Sequence, residues 1–159
     1  MPRRSAVRSR AAPPSQPTAR LSALAFRAKA HWGYDTAFME RVRPALTLCA
    51  DDLAQRRVVV ALLDERIVAF YAFTTYDGAT FLDDLWVDPP QIGHGLGTQA
   101  WQHAVATASS AGEASFLIES DPFAEGFYLR MGALRIGERI SPQTGRSLPL
   151  LRYRLSAQS

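Results

Sequence analysis

Hydrophobic and polar positions change period near the middle of the chain, and that change marks out the fold. Val58-Val59-Val60-Ala61-Leu62-Leu63 is a short apolar run, Asp64-Glu65 interrupts it, and Ile67-Val68-Ala69-Phe70-Tyr71-Ala72-Phe73 resumes it. Runs of this length between turn residues predict strands. Asp77-Gly78 is a strong hairpin signal, since the tight hairpin turns need positive φ at their centre. A third strand is predicted from about Ala79 to Val87, which completes an antiparallel meander. Upstream, Leu21, Leu24, Ala25 and Ala28 recur at helical spacing, with Ser15 as N-cap, Pro17 in the first turn and Gly33 as the stop. A second helix runs from Asp35 through Phe38, Met39, Val42 and Leu46, with Pro44 as a position where it can end early. Residues 6–11 alternate weakly, as a short first strand would.

Downstream, Leu96, Ala100, Trp101, Ala104, Val105 and Ala108 trace one helical face that stops near Gly112. Ser115-Phe116-Leu117-Ile118-Glu119 is a buried-type strand. A whole helix separates it from the preceding strand, so parallel pairing is expected. A helix from Phe123 to Met131 follows, and strands at about Leu134–Arg139 and Pro149–Leu155 close the chain around a loop holding Pro142 and Gly145. The expected architecture is α/β: a mixed, mostly antiparallel sheet with flanking helices and one parallel strand pair. It forms a single domain over 6–159, preceded by a basic arm at 1–5.

The most informative stretch joins the third strand to the following helix: Leu85-Trp86-Val87-Asp88-Pro89-Pro90-Gln91-Ile92-Gly93-His94-Gly95-Leu96-Gly97-Thr98. Glycines let the backbone turn tightly and let a ligand approach its N–H groups. A helix start leaves about four N–H groups unpaired at the positive end of its dipole. Strand, glycine turn and helix start together form a candidate phosphate cradle. A sharp turn without a ligand is the structural alternative. The G-x-G-x-x-G fingerprint of dinucleotide sites is absent, because no glycine follows at the last position. The Walker-type loop is excluded too, since the single lysine, Lys29, lies far upstream. What remains binds phosphate chiefly through main-chain N–H groups.

Composition narrows the classes of function. The 159-residue length fits one domain, and 47% hydrophobic with 21% charged residues is ordinary for a globular chain. No apolar run approaches the roughly 20 residues that span a bilayer, so no membrane partner is expected. The basic start lacks the apolar core of a secretory signal. Cys49 is the single cysteine, which excludes an internal disulfide and a cysteine-rich metal site and fits a cytoplasmic location. Of the net charge of +3, the first twenty residues contribute five arginines and no acid, leaving the rest slightly acidic. Nucleic acid is not an expected partner, because its footprint needs a basic stripe on the folded body. His94 and His103 are too isolated to suggest a metal.

Two motifs carry a family resemblance. The block from Leu85 through Gly97 resembles the acyl-coenzyme-A loop of the GNAT N-acetyltransferase superfamily, whose Arg/Gln-x-x-Gly-x-Gly/Ala pattern is met by Gly95 and Gly97. Ser120-Asp121-Pro122-Phe123-Ala124-Glu125-Gly126-Phe127-Tyr128-Leu129-Arg130-Met131-Gly132-Ala133 resembles its second signature, an Ala-x-x-Phe-Tyr-x-x-x-Gly helix. The order of elements is also similar. The resemblance implies acetyl-CoA as co-substrate, a small-molecule amine as acceptor and direct attack in a ternary complex. A non-catalytic acyl-CoA sensor or a partner-binding domain on the same fold is the alternative, and a homodimer is the assembly common in that family. The implied cofactor site takes Leu85, Trp86, Val87, Gln91, Ile92, Gly93, His94, Gly95, Leu96, Gly97 and Thr98, with Asp121, Ala124, Phe127 and Tyr128 from the second motif. Ile92 departs from the pattern: it stands where the family has Arg or Gln, with Gln91 one residue earlier.

Acetyl transfer from a thioester needs a neutral amine, a stabilised oxyanion and a proton for the departing thiolate. By the resemblance, Tyr128 faces the cofactor sulfur, and a phenol with pKa about 10 is protonated at neutral pH. A core aromatic is its structural alternative. The oxyanion donor is expected to be a backbone N–H near Val87. Asp84 and Glu119 are the candidate bases; Asp83 and Asp84 are expected on opposite faces by alternation, and Glu119 and Asp121 lie at the end of the neighbouring strand. His31, Trp32 and Tyr34, at the corner between the first two helices, with Asp84, are the candidate acceptor wall. Aromatic packing at that corner is the alternative. Arg146 is placed to meet an anionic acceptor group or to stay solvated.

Overall fold

The meander appears as expected. In the computed structural model, which describes residues 6–155, β2 (Arg57–Leu63), β3 (Arg66–Tyr76) and β4 (Ala79–Val87) pair antiparallel in sequence. The arm expected at 1–5 lies outside the described residues. The turns between these strands place Asp64, Glu65, Asp77 and Gly78 at positive φ. With β1 (Arg8–Ala11), β5 (Ser115–Glu119), β6 (Leu134–Ile140) and β7 (Ser147–Arg154), the sheet runs β1-β2-β3-β4-β5-β7-β6. Every neighbouring pair is antiparallel except β4 and β5, which are parallel.

Helices cover both faces, which is why the central strands read as continuous apolar runs. Val58, Val60, Leu62, Phe70 and Ala72 pack under α1 (Thr18–Ala30) and α2 (Thr36–Leu46), against Leu21, Leu24, Phe38, Met39 and Val42. Alternate residues Val59, Tyr71 and Phe73 face α4 (Leu96–Ser110) and α5 (Glu125–Arg130), joining Ala100, Trp101, Ala104, Phe116 and Tyr128. No helix among the described residues is long and apolar enough to cross a membrane.

Several local expectations are corrected. Ser15 does not cap α1. It sits in a turn closed by the Gln16 N–H donating to Pro13 O at 2.9 Å, and the helix begins at Thr18 behind Pro17, with no side-chain cap. Pro14 explains the turn, because its fixed φ suits the second position of a β-turn. Pro44 does not end α2, which continues to Leu46. It falls in the last turn, where Thr47 Oγ1 donates to Arg43 O at 2.8 Å and buried Leu46 anchors the end. A further helix, α3 (Ala50–Gln55), buries no residue and so left no periodic signal. The last helix is shorter than expected, at Glu125–Arg130, and β7 begins earlier, at Ser147.

Two irregularities set up the functional site. Between β3 and β4 the register moves from Ala72 opposite Asp84 to Phe73 opposite Leu82, so Asp83 is an extra residue in β4. Such a bulge bends its strand and shifts the phase of the side chains beyond it. Leu82 and Leu85, three positions apart, consequently pack on the same α4/α5 side, while Trp86 packs under α1 and α2. Simple alternation of Asp83 and Asp84 therefore does not hold. The second irregularity is a split. β4 and β5 share one register pair, Phe81 opposite Leu117, and then diverge. β4 stays with β3 as far as Val87 opposite Ala69, whereas β5 stays with β7 through Glu119 opposite Leu150.

Phe116 on β5 ties the second half of the sheet to α4 through ring contacts with Trp101, Phe73 and Tyr153. Phe116→Ala should cost about 3–5 kcal/mol, read as a lower urea midpoint at unchanged m-value. A loss under about 1 kcal/mol would show that this ring is not central to the core.

Candidate active site

The split opens toward the start of α4. After β4 the chain makes a short 3-10 turn at Pro89–Gln91, where Gln91 N–H donates to Asp88 O (2.8 Å) and Ile92 N–H to Pro89 O (3.1 Å). Gly93 and Gly95 then take φ of 89° and 79°, which L side chains adopt at a cost, while a Cβ at either would meet open space. Gly97 differs: its φ is ordinary, and a Cβ there would touch the Phe127 ring at 3.6 Å. Among the described residues no carbonyl accepts from the N–H of Gly93, His94 or Gly95, and Gly95 caps α4 without a side chain. Those donors and the first N–H groups of the fifteen-residue helix form an exposed anion cradle. The Leu96 side chain is buried with Ala61, Val68 and Ala69, so only its backbone is available.

A cleft of about 380 Å³ runs from this cradle into the split. Leu85, Trp86, Val87, Ile92 and Gly97 form one wall, and Glu119, Asp121, Ala124, Phe127 and Tyr128 form the other. Tyr128 is buried, yet its hydroxyl makes no hydrogen bond with any described residue. Burial, helped by the Asp84 and Asp121 charges, pushes its pKa well above the ordinary phenol value. The hydroxyl is therefore protonated at neutral pH. Arg130, exposed on the last turn of α5, lines the same cleft and has no acidic partner among the described residues. It is a cation the sequence reading missed beside the Ile92 departure.

A second cavity, of about 550 Å³, lies on the α2 and β6–β7 side. Four residues line both spaces: Asp83, Trp86, Glu119 and Asp121. The two cavities therefore meet where β4 and β5 part. Asp84 faces the second cavity but is engaged: Arg56 Nη2 donates to its Oδ2 at 2.5 Å and Trp86 Nε1 to its Oδ1 at 2.8 Å. Asp83 is freer. Arg56 Nη2 is 3.7 Å away, and 42% of the Asp83 side chain is exposed along the cavity edge. Burial of its other side raises its pKa above the usual carboxylate value, against the opposing pull of Thr74 and Arg56. Glu119 faces Arg139 Nη1 at 4.0 Å.

Asp121 closes the far wall as a hub. Lys29 Nζ donates to it at 2.7 Å, Tyr34 Oη at 2.9 Å and the Phe123 N–H at 2.8 Å, while Arg146 Nη2 lies 3.6 Å away. Arg146 Nη1 also donates to Tyr34 Oη at 2.9 Å. This cluster joins the α1–α2 corner, the end of β5 and the β6–β7 loop. Tyr34, expected on the acceptor wall, is thus held in the cluster, its pKa raised mainly by burial. Trp32 lies beside the first cleft instead, tilted against Trp86 at 5.8 Å and stacked near Phe123 at 6.0 Å. His31 is exposed at the end of α1 and lines neither cavity, and Gln91, His94 and Thr98 line neither.

Solved structures share this fold. A GCN5-related N-acetyltransferase from Rhodopseudomonas palustris is similar at TM-score 0.75 and 19% identity, covering 93% of this chain and 95% of that one. The PaiA N-acetyltransferase of Thermoplasma acidophilum, solved with coenzyme A, is similar at TM-score 0.70 and 12% identity, covering 94% and 99%. A GNAT acetyltransferase of Elizabethkingia anophelis, solved with acetyl-CoA bound, gives 0.69 and 14%, covering 94% and 98%. No curated protein sequence matches significantly. Residues 21–133 match the model of the acetyltransferase (GNAT) family, and the chain belongs to that family.

The raised pKa of Asp83 has a consequence for stability. A carboxyl whose folded pKa exceeds its unfolded value stabilises the fold while protonated, and that contribution is lost as pH rises through the folded pKa. Asp83→Asn should therefore raise Tm relative to the parent at pH 7. The gain should vanish below about pH 3.9, where the side chain is protonated in both states. A lower Tm at pH 7 would mean that the Arg56 attraction outweighs the burial.

Proposed function

We propose that this chain transfers the acetyl group of acetyl-CoA to the primary amine of a small molecule, by direct attack in a ternary complex. The reading rests on one observation above the others: two cavities meet at the β4–β5 split, with an unpartnered, protonated tyrosine on one side and two loosely paired carboxylates at the junction. Acetyl-CoA supplies an activated acyl carbon and a thiolate leaving group. The cradle N–H groups from Gly93 to Thr98 hold its pyrophosphate, with Arg130 supplying charge that Ile92 lacks. Leu85, Trp86, Val87, Ala124 and Phe127 line the path to the sulfur.

Tyr128 gives its proton to the departing thiolate. The amine reaches the junction from the second cavity, and Asp83 or Glu119, directly or through water, takes the proton that leaves the ammonium. Asp83 suits this role better than Asp84, because a raised pKa brings a carboxylate closer to a working base. Asp84 becomes a positioning residue that fixes Arg56 and Trp86 around the bulge. Backbone N–H groups of β4 beyond Phe81, which lack a strand partner on the β5 side, are the oxyanion donors.

Calorimetric titration with acetyl-CoA should show binding, and amines should release coenzyme A thiol. Tyr128→Phe should lower kcat about 10²-fold or more while leaving acetyl-CoA affinity within a few-fold. Absence of binding up to high micromolar acetyl-CoA would sink this reading. Full activity in Tyr128→Phe would remove the proton donor from it.

A further inference from the structure

The second cavity carries charge that the fold does not consume. Of its cations, Lys29 is committed to Asp121 and Arg56 to Asp84. Arg139 is not committed: its guanidinium lies over the Phe81 ring at 5.1 Å, its nearest carboxylate is Glu119 at 4.0 Å, and it makes no hydrogen bond with a described residue. Arg146 lies against the stacked Tyr34 and Phe38 rings with its Nη groups turned to Tyr34 and Asp121, and its Nε–H is buried without an acceptor among the described residues. A buried donor left unpaired is costly, and a guanidinium is built to grip a carboxylate with two parallel hydrogen bonds. At the junction, Asp83 and Glu119 are the matching anions, each only loosely paired, with Arg56 at 3.7 Å and Arg139 at 4.0 Å. The cavity thus offers acid at its reacting end and spare guanidinium beside it, with Glu119 and Arg139 a few ångströms apart. The α2 side of the cavity is apolar, with Val42, Ala45 and Leu46, whereas the β6–β7 arm mixes Ile140, Pro142 and Leu148 with the polar Ser141 and Gln143.

We infer that the acceptor is an α-amino acid with an apolar side chain, an inference that rests on the acetyltransferase reading. Its amino group sits at Asp83 and Glu119, its carboxylate is read by Arg139 with Arg146 behind it, and its side chain lies against the α2 wall. The short spacing between Glu119 and Arg139 matches an amine and a carboxylate on one carbon, and a longer ω-amino acid would overshoot it. In the reaction the ammonium loses one proton through the junction carboxylates to solvent. The N–C bond forms as the thioester C–S bond breaks. The second amine proton balances the one that Tyr128 gives to the thiolate, so coenzyme A leaves as the thiol.

The test compares thiol release from acetyl-CoA with L-phenylalanine, phenethylamine and L-phenylalaninamide, and with L-leucine, isopentylamine and L-leucinamide. The amino acids should exceed their carboxylate-free partners by about 10-fold or more in kcat/KM. Arg139→Met should erase that preference chiefly through KM, and Arg139→Lys should restore part of it. Amines or amides turned over as well as the amino acids would overturn the proposal while leaving the acetyltransferase reading intact. A preference that survives in Arg139→Met would overturn the assignment to Arg139. Failure of every acceptor, with acetyl-CoA bound, would overturn the amino-acid proposal, whereas absence of acetyl-CoA binding would overturn the acetyltransferase reading itself.

Discussion

The parting of β4 from β5 after a single register pair is the constraint on which the rest of this structure depends. A continuous sheet would satisfy the backbone along both strands and leave no space between them. Here each strand keeps its outer neighbour, β3 for β4 and β7 for β5, so the sheet splits into two ladders without either unravelling. The bulge at Asp83 sits at the point of divergence and supplies the bend. Everything of chemical interest lines that wedge: the glycine cradle at its mouth, Tyr128 on one wall and Asp83 and Glu119 at its centre.

A wedge between two ladders must be held open, and buried charge does this. The Asp121 cluster draws the α1–α2 corner, the end of β5 and the β6–β7 loop to one carboxylate. Breaking a buried ion pair typically costs about 3–5 kcal/mol, because the remaining partner is left uncompensated. The arrangement therefore favours one geometry of the far wall. Asp84 does the same on the near wall through Arg56 and Trp86. The carboxylates that hold the shape are thus separated from those left free to act.

The fold was legible to a large extent. The meander, its two turns, the parallel pair and the α4 face all follow from runs, turn residues and helical spacing, because both sheet faces are buried and the apolar signal is strong. The glycine cradle was legible for the same reason: Gly93 and Gly95 sit where only positive φ completes the turn. What escaped was local and weakly apolar. α3 has no fully buried residue and only Leu53 against the core, and Ser15 lost the cap position to a proline-driven turn.

The site divides along a similar line. By itself the sequence determined the strand, glycine turn and helix that form the cradle, and the Phe127-Tyr128 helix that faces it. Those depend on contacts between near neighbours in the chain. Which carboxylates are free was decided by the tertiary structure alone. One extra residue at Asp83 inverts the phase of β4, and Arg56, twenty-eight positions from Asp84, takes that carboxylate out of play. Tyr34 and Arg146 likewise meet at Asp121 across most of the chain. Hydrophobic period is a local property and can be read along a chain. The pairing of charges depends on which distant segments the fold brings together, and it appears only once the sheet has split.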